Sequence, residues 1–323
     1  MQFIKNIQNF SFQNKLWQKG SKIVLGVSGG PDSICMLDVF ANLAKKYDLK
    51  LHIAHVNYGI RLEESDLDED FTKEAAKKYG IGISILRPDS KTYKGNLENS
   101  LRGIRYDFFE KTRTELKYDF IAVAHNQDDQ VETILMRLLR GSGLRGLSAM
   151  NARNGFIIRP LLNTKRIEIE TYLEKKNILW RIDKSNLDQN FTRNKIRHEL
   201  VPYLEEKFNP SLKTTLANSA ATISDDYIFI ENEISKIFDG FMHADKQKIS
   251  FNCKDFLKYD DHVARSLLRR SMQILRSDLL DIEKTHIDEI LKIVKSNKNK
   301  SQKSSFKGLN VSKNGDIVEL FCI

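Results

Sequence analysis

The sequence predicts a doubly wound α/β domain with a mostly parallel sheet, followed by a smaller, mainly helical C-terminal domain. Three observations predict it. Near-continuous apolar segments at 22–28, 51–56, 82–86 and 119–124 alternate with helical periods at 32–46, 64–79, 98–117 and 128–140. That is the pattern of strands buried on both faces by crossover helices. From about residue 211 the alternation stops, and helical periods dominate at 211–237, 260–277 and 281–295, with short strands expected near 309–313 and 316–321. Finally, 323 residues exceed the size at which one hydrophobic core stops growing. The expected domains are 1–212 and 213–323.

The elements follow in order. Residues 3–19 form an amphipathic helical pattern with Phe3, Ile7, Phe10 and Trp17 on its apolar side. The first strand, Ile23-Val24-Leu25-Gly26-Val27, runs into Ser28-Gly29-Gly30-Pro31-Asp32-Ser33 and then an apolar helix. Gly29 and Gly30 permit a sharp turn and close approach of the backbone to a ligand. The helix start offers free N–H groups and partial positive charge, and Pro31 suits its first turn. Ser28 and Ser33 add hydroxyls. These features make an anion site at a strand-to-helix junction. No Walker lysine follows the glycines; an aspartate does. Asp32 makes sense beside phosphates when Mg²⁺ lies between them, which points to chemistry at the α-phosphate of ATP. Two other readings compete: a plain Gly-Pro turn, and a G-x-S-x-G nucleophile elbow over 26–30 with Ser28 as nucleophile. The elbow normally follows several strands and an upstream oxyanion motif, and neither precedes Ser28.

In a doubly wound sheet the ligand lies beyond the carboxyl ends of the strands. Ser28, Asn57 and His125 all sit there and are expected to converge. After the 119–124 strand the chain reads Ala124-His125-Asn126-Gln127-Asp128-Asp129-Gln130-Val131-Glu132-Thr133. Acids in a first helical turn complement the helix dipole, which accounts for one or two carboxylates. A histidine plus three acids at the ligand edge reads as a functional cluster. Arg102 and Arg105 stand three apart and Arg193 and Arg197 four apart, spacings that suit clamping a phosphate or a carboxylate. Residues 141–164 form a glycine- and arginine-bearing connector.

Composition bounds the remainder. The net charge is +9 with a pI near 9.2, which suits a polyanionic partner such as nucleic acid and equally suits a lysine-rich proteome. Lys295, Lys298, Lys300 and Lys303 form either a phosphate-contacting patch or a solvated loop. Cys35, Cys253 and Cys322 show no C-x-x-C pairing, which argues against a disulfide framework, a zinc site or a redox dithiol. There is no membrane-length apolar run and no signal-peptide core, so a reducing cytoplasm is the expected compartment.

Ser28 to Ser33 resembles the S-G-G-x-D-S loop of the N-type ATP pyrophosphatases, the PP-loop superfamily. Four further segments narrow the resemblance. His55-Val56-Asn57-Tyr58-Gly59-Ile60-Arg61 resembles H-V-N-H-G-L-R, and Glu98 to Tyr106 resembles E-x-x-A-R-x-x-R-Y. Ala124 to Thr133 resembles A-H-H-x-D-D-Q-x-E-T. Trp180 to Pro202, with Asp183, Ser185, Asn186, Arg193, Asn194 and Arg197, resembles W-x-x-D-x-S-N followed by R-N-x-I-R-x-x-x-x-P. In this order and spacing, from about 20 to 205, the set resembles the tRNA(Ile)-lysidine synthase family. Tyr58, Ser100 and Asn126 depart from the family pattern, and Asn126 in place of a histidine leaves His125 as the acid–base candidate.

The resemblance implies ATP-dependent ligation of free L-lysine to C2 of the wobble cytidine of a CAU-anticodon tRNA(Ile), through an adenylated cytidine. It implies that Ser28, Gly29, Gly30, Pro31, Asp32 and Ser33 bind the nucleotide, and that Asp32 with Asp129 holds Mg²⁺. Asp129 and Glu132 are expected to bind the lysine ammonium or deprotonate it. Arg105 and Arg197 are expected on the adenylate phosphate or the lysine carboxylate. Residues 213–323 are expected to grip tRNA and to correspond to the first C-terminal domain of longer members, the second being absent; a homodimer is left open. Among rivals, a PP-loop thiolation enzyme needs catalytic cysteines, and only Cys35 lies near the loop.

Overall fold

The computed structural model describes residues 2–89, 93, 97–181, 192–245, 247–276, 282–297 and 301–322. Asp183, Ser185, Asn186, Lys298 and Lys300 lie outside the described residues, as does the Glu98 side chain. The chain divides into two compact units, Met1–Ser224 and Asp225–Ile323.

In the first unit, α1 (Gln2–Gln13) ends earlier than its periodicity suggests. Lys15 takes a left-handed φ of 50°, and Leu16 and Trp17 leave the helix to bury themselves in the main core. Then come β1 (Lys22–Gly26), α2 (Pro31–Tyr47), β2 (Lys50–Val56), α3 (Glu63–Tyr79) and β3 (Gly82–Leu86). They are followed by α4 (Leu97–Leu116), β4 (Phe120–Ala122), α5 (Gln127–Leu139) and the single turn α6 (Leu144–Leu147). The strands and helices expected over 22–140 are all present.

The two-residue strands β5 (Arg153–Asn154) and β6 (Ile157–Ile158) complete the sheet. Its order is β3-β2-β1-β4-β6-β5, parallel throughout except for the β5–β6 hairpin at one edge. Ile23, Val24, Leu25, Ile53 and Ile121 are wholly buried, as a sheet covered on both faces requires. The unit continues with α7 (Arg166–Lys175), α8 (Thr192–Lys195), a π-helical turn (Ile196–Leu200) and α9 (Val201–Lys207). The division between units falls within α10 (Leu212–Phe241).

The order of the sheet fixes the site. From β1 the chain builds outward through β2 and β3, then returns to lay β4 on the other side of β1. The segments leaving β1 and β4 therefore separate at the C-terminal edge, the switch point where open α/β sheets bind ligands.

The second unit holds more strand than its sequence suggested. It contains β7 (His243–Ala244), β8 (Lys248–Asn252), α11 (Cys253–Phe256), α12 (Asp261–Leu275), α13 (Lys284–Lys295), β9 (Gln302–Phe306), β10 (Leu309–Asn314) and β11 (Ile317–Cys322). The strands form an antiparallel sheet of order β7-β8-β11-β10-β9. Ile249 and Phe251 point inward from β8, and α12 and α13 cover the sheet with Leu267, Leu268, Met272, Ile290 and Val294. Lys295 pairs with Asp261 at 2.6 Å.

Candidate active site

The loop after β1 is braced from within. Gly29 holds φ at +89°, a conformation that favours glycine. A Cβ at Gly26 would stand 2.6 Å from Phe109 Cε2, so only glycine lets α4 pack against the end of β1. The Ser28 N–H donates to Ser33 Oγ at 3.1 Å, and the Ser33 hydroxyl donates to the Gly30 carbonyl at 2.9 Å. Ser33, expected to donate to phosphate, is thus committed to the loop, while Ser28 is exposed. Gly30 caps α2 and Pro31 opens it, leaving the first N–H groups unclaimed by the helix. The buried His55 holds the loop's approach through Nδ1 and the Val27 carbonyl, 2.8 Å apart.

The segment after β4 supplies the opposite wall. Asn126 caps α5: its Oδ1 accepts from the Asp129 N–H at 3.1 Å, and Asp129 Oδ2 accepts from the Asn126 N–H at 3.0 Å. The remaining Asn126 donor, Nδ2, reaches Asp32 Oδ1 at 2.9 Å. One side chain therefore ties the aspartate of the phosphate loop to the first aspartate on the α5 face. Arg166, at the start of α7, pairs with Asp32 Oδ2 at 2.6 Å. Burial raises the Asp32 carboxyl to about 6; Arg166 opposes the shift, the charge of Asp129 adds to it, and the Asn126 hydrogen bond opposes it.

The three acids of α5 divide by role. Glu132 is closed off: its side chain is 2% exposed and sits between Arg193 Nε at 2.6 Å and Arg197 Nε at 2.5 Å. Asp129 shares the same arginines, at 2.8 Å from Arg193 and 3.5 Å from Arg197. These ion pairs, with Val131 and Leu135 packed on Ile196 and Val201, dock the 192–207 helical segment on α5. Asp128 turns away, pairing with Lys213 at 2.6 Å and accepting the Arg166 N–H at 3.2 Å.

Between the two walls is a cavity that Ser28, Gly30, Asp32, Tyr58, Arg105 and His125 help to line. His125 is half-buried, and its Nδ1 is shielded from solvent without a hydrogen-bond partner. Burial holds its imidazole well below the ordinary value, against the opposing pull of Asp129, with Arg159, Arg102 and Arg105 pressing the same way as burial. The ring is therefore neutral near pH 7. Of the residues singled out in the sequence, Ser28, Gly30, Asp32, Ser33, Arg105 and His125 meet at the cavity, whereas Asp129, Glu132 and Arg197 are not among its lining residues. Asn57 does not join them: its amide donates to Asp66 and Glu69 of α3, at 3.0 and 2.9 Å.

Among the described residues, no group of three or more Asp, Glu, His or Cys is placed to hold a metal alone. The carboxylates of Asp32 and Asp129 lie close enough for the charge of one to act on the other, a pair of oxygen donors compatible with a Mg²⁺ that takes the rest of its shell from phosphate and water.

The comparisons with known proteins bear on this geometry. The PP-loop domain family matches residues 1–204. A tRNA(Ile)-lysidine synthase from Chlorobaculum tepidum is 37% identical over 241 residues, which cover 73% of this chain and 72% of that protein. The chain belongs to the tRNA(Ile)-lysidine synthase family. A lysidine synthase from Clostridium tetani is 36% identical over 287 residues, 87% of this chain but 61% of that protein. The chain thus spans about three fifths of the length of this relative. Among solved structures, the U34-tRNA thiolase NcsA from Methanococcus maripaludis superposes with a TM-score of 0.55 over 69% of this chain and 79% of that one, at 21% identity. That likeness shows a shared fold.

Membership in the lysidine synthase family places the motif departures in context. Asn126, where the family pattern has histidine, is the cap and the Asp32 bridge. Tyr58, the second departure, donates its hydroxyl to the Leu101 carbonyl at 2.9 Å. Arg166, the ion-pair partner of Asp32, was missed in the sequence; it is 134 residues from Asp32, and no local pattern marks it. The Cys35 thiol is fully buried and pushed up by burial, the state of a structural cysteine. Among the described residues no histidine bonds to the Ser28 hydroxyl, whose neighbour is Ser33 Oγ at 3.3 Å; a serine nucleophile needs such a base.

Proposed function

We propose that this chain uses ATP to join free L-lysine to C2 of the cytidine at the first anticodon position of a CAU-anticodon tRNA(Ile). Cytidine O2 attacks the α-phosphorus and pyrophosphate leaves. The lysine amine then attacks C2, the C2–O2 bond breaks, AMP departs, and the nitrogen gives up a proton. The reading is supported by family membership and carried by one observation: Asn126 joins Asp32 of the phosphate loop to Asp129 of α5 across the switch point.

The roles follow from position. The N–H groups at the start of α2 and the Ser28 hydroxyl receive the departing pyrophosphate. Asp32 and Asp129 would hold Mg²⁺, which when bound neutralises charge building on the phosphates. Arg105 faces the cavity with no ion pair among the described residues and meets the phosphate that becomes AMP. Asp129, the more exposed of the two paired acids, receives the lysine ammonium. Glu132 acts through Arg193 and Arg197 as a positioning residue. A free lysine side chain has a pKa of about 10.4, so the amine must lose a proton near neutrality; neutral His125 and the Asp129 carboxyl group are the acceptors at hand.

The test is AMP release from ATP with a CAU-anticodon tRNA, with and without lysine. The reading predicts AMP only when both tRNA and lysine are present. AMP formation indifferent to lysine contradicts it.

A further inference from the structure

A second feature of the first unit lies beside the cavity. Arg102 and Arg105, on one side of α4, both stack on the ring of Tyr106, at 4.9 and 5.6 Å. Arg105 and Tyr106 line the cavity. Next to them stand Arg137 of α5 and the buried Arg159. Arg137 donates to the carbonyls of Gly146 and Ala149, both at 2.8 Å, and so pins the connector that carries Arg145. Arg159 donates to the Asn151 carbonyl at 2.8 Å, while its Nε is buried without a partner.

Among the described residues none of these five guanidiniums forms an ion pair. Each of the two more buried ones feels the others. Burial and the charges of Arg102 and Arg145 hold Arg137 below its ordinary value, and burial, with Arg102 and Arg137 contributing, does the same to Arg159. A protein that crowds cations without acids maintains a strongly positive local field, which favours an anion there. Leu138 and Leu139 at the end of α5 and Leu144 of the connector are 55%, 68% and 50% exposed. Exposed apolar side chains interleaved in sequence with arginines suit a ligand with a charged backbone and flat apolar faces. That ligand is a single-stranded polynucleotide.

We propose that Arg102 and Arg145, in a positive field that Arg137 and the buried Arg159 reinforce, form a track for the sugar-phosphate backbone of an RNA loop, running from the 138–147 segment to the cavity. In it, Leu144 packs against a base flanking the nucleotide that is turned into the cavity. The track deepens the RNA-modifying reading above and rests on it for the identity of the target base. Its recognition is by backbone and stacking, so it is indifferent to loop sequence.

The experiment measures binding of the full chain to two RNA hairpins of equal length, one with a CAU-containing loop and one with an unrelated loop, over a range of salt. Arg102 and Arg145 are exposed, so the double variant R102Q/R145Q keeps the fold. Its control is K77Q/K78Q, the same charge change at the C-terminal end of α3, on the opposite edge of the sheet.

R102Q/R145Q is expected to weaken both hairpins by about tenfold or more. It should also flatten the slope of log K against log salt by about 1.5, because each lost phosphate contact removes roughly 0.7–0.9. K77Q/K78Q is expected to stay within about twofold. L144S is expected to weaken both hairpins several-fold at unchanged slope, the mark of a lost apolar contact. Wild-type affinity and slope in R102Q/R145Q, or an equal loss in K77Q/K78Q, overturns the track; wild-type binding by L144S overturns the base contact. If the wild-type chain makes no lysidine yet the double variant loses hairpin binding, the track stands and the activity reading falls. If lysidine forms and the double variant binds normally, the track falls and the activity reading stands.

Discussion

Two sets of arginines in the first unit are treated in opposite ways. Arg166, Arg193 and Arg197 are each locked to a carboxylate, on Asp32, Asp129 or Glu132, at 2.5–2.8 Å. Arg102, Arg105, Arg137, Arg145 and Arg159 have no such partner among the described residues. Burying paired charges fixes geometry at little net gain in stability, whereas removing one member leaves its partner exposed to the full desolvation cost. The cations without a carboxylate keep their charge uncompensated, even where Arg137 and Arg159 brace backbone carbonyls, and so favour an anion that arrives. The comparison separates residues that shape the site from residues that meet the substrate, although both are the same amino acid.

The largest expected effect sharpens the paired side. Asp32→Asn is expected to lower the rate of pyrophosphate release on the order of a thousandfold. Desolvation of the Asp32 carboxyl outweighs its pairing with the part-exposed Arg166, so here, unlike at Glu132, the variant should be more stable, and only above a certain pH. The Asp32 carboxyl rises from 3.8 to about 6 in the folded state. The folded state then binds more protons than the unfolded one between those values, so stability falls as pH rises through that window and levels off above it. Asparagine cannot ionise. Thermal melts should therefore coincide near pH 4 and diverge above pH 6, where the variant gains roughly 1–2 kcal/mol after allowing for partial solvent screening. A variant less stable at pH 7.5 than wild type contradicts the assignment.

Next comes the contrast between the two sets. Glu132→Gln leaves two guanidiniums facing a neutral amide. It should cost roughly 3 kcal/mol, the low end for a buried pair, because both arginines reach solvent. Arg105→Gln should change stability by less than about 0.5 kcal/mol and still remove most activity. Chemical denaturation separates them, and equal stability loss in both erases the distinction. A smaller effect is expected from Asn126→Ala. Losing the cap should cost about 1 kcal/mol. Losing the hydrogen bond that lowers the Asp32 carboxyl should move the acid limb of the pH–rate profile upward. An unmoved acid limb means that Asn126 does not control Asp32. The smallest is Ser28→Ala against Ser33→Ala: the first should raise the KM for ATP without lowering stability, and the second should lower stability by about 1 kcal/mol.

Much of this was legible in the sequence, for identifiable reasons. Strands buried on both faces are continuous apolar runs, so β1 to β4 and the helices between them stood out, and the switch point followed from their order. The loop residues and His125 were legible because glycines, proline and clustered acids have local signatures. What failed to show was partnership at a distance. Ser33, Glu132, Arg193 and Arg197 carry chemistry-bearing side chains, and only the fold shows that they neutralise one another or brace a loop. Arg166 has no local motif. In the second unit β9, Gln302-Lys303-Ser304-Ser305-Phe306, is too polar to announce a strand, and its neighbours in the sheet supply the reason it forms one. β8 does alternate, with Ile249 and Phe251 inward, and that signal was present but short.

The central claim is that one cavity performs adenylation and then amine transfer on a single RNA. It is tested most directly by supplying the chain with ATP and a CAU-anticodon tRNA, withholding lysine, and measuring pyrophosphate and AMP separately before lysine is added. The account predicts a burst of pyrophosphate near the enzyme concentration with no AMP, followed on lysine addition by equal amounts of AMP and lysine-bearing tRNA. Pyrophosphate released without tRNA, or AMP released before lysine is added, contradicts it.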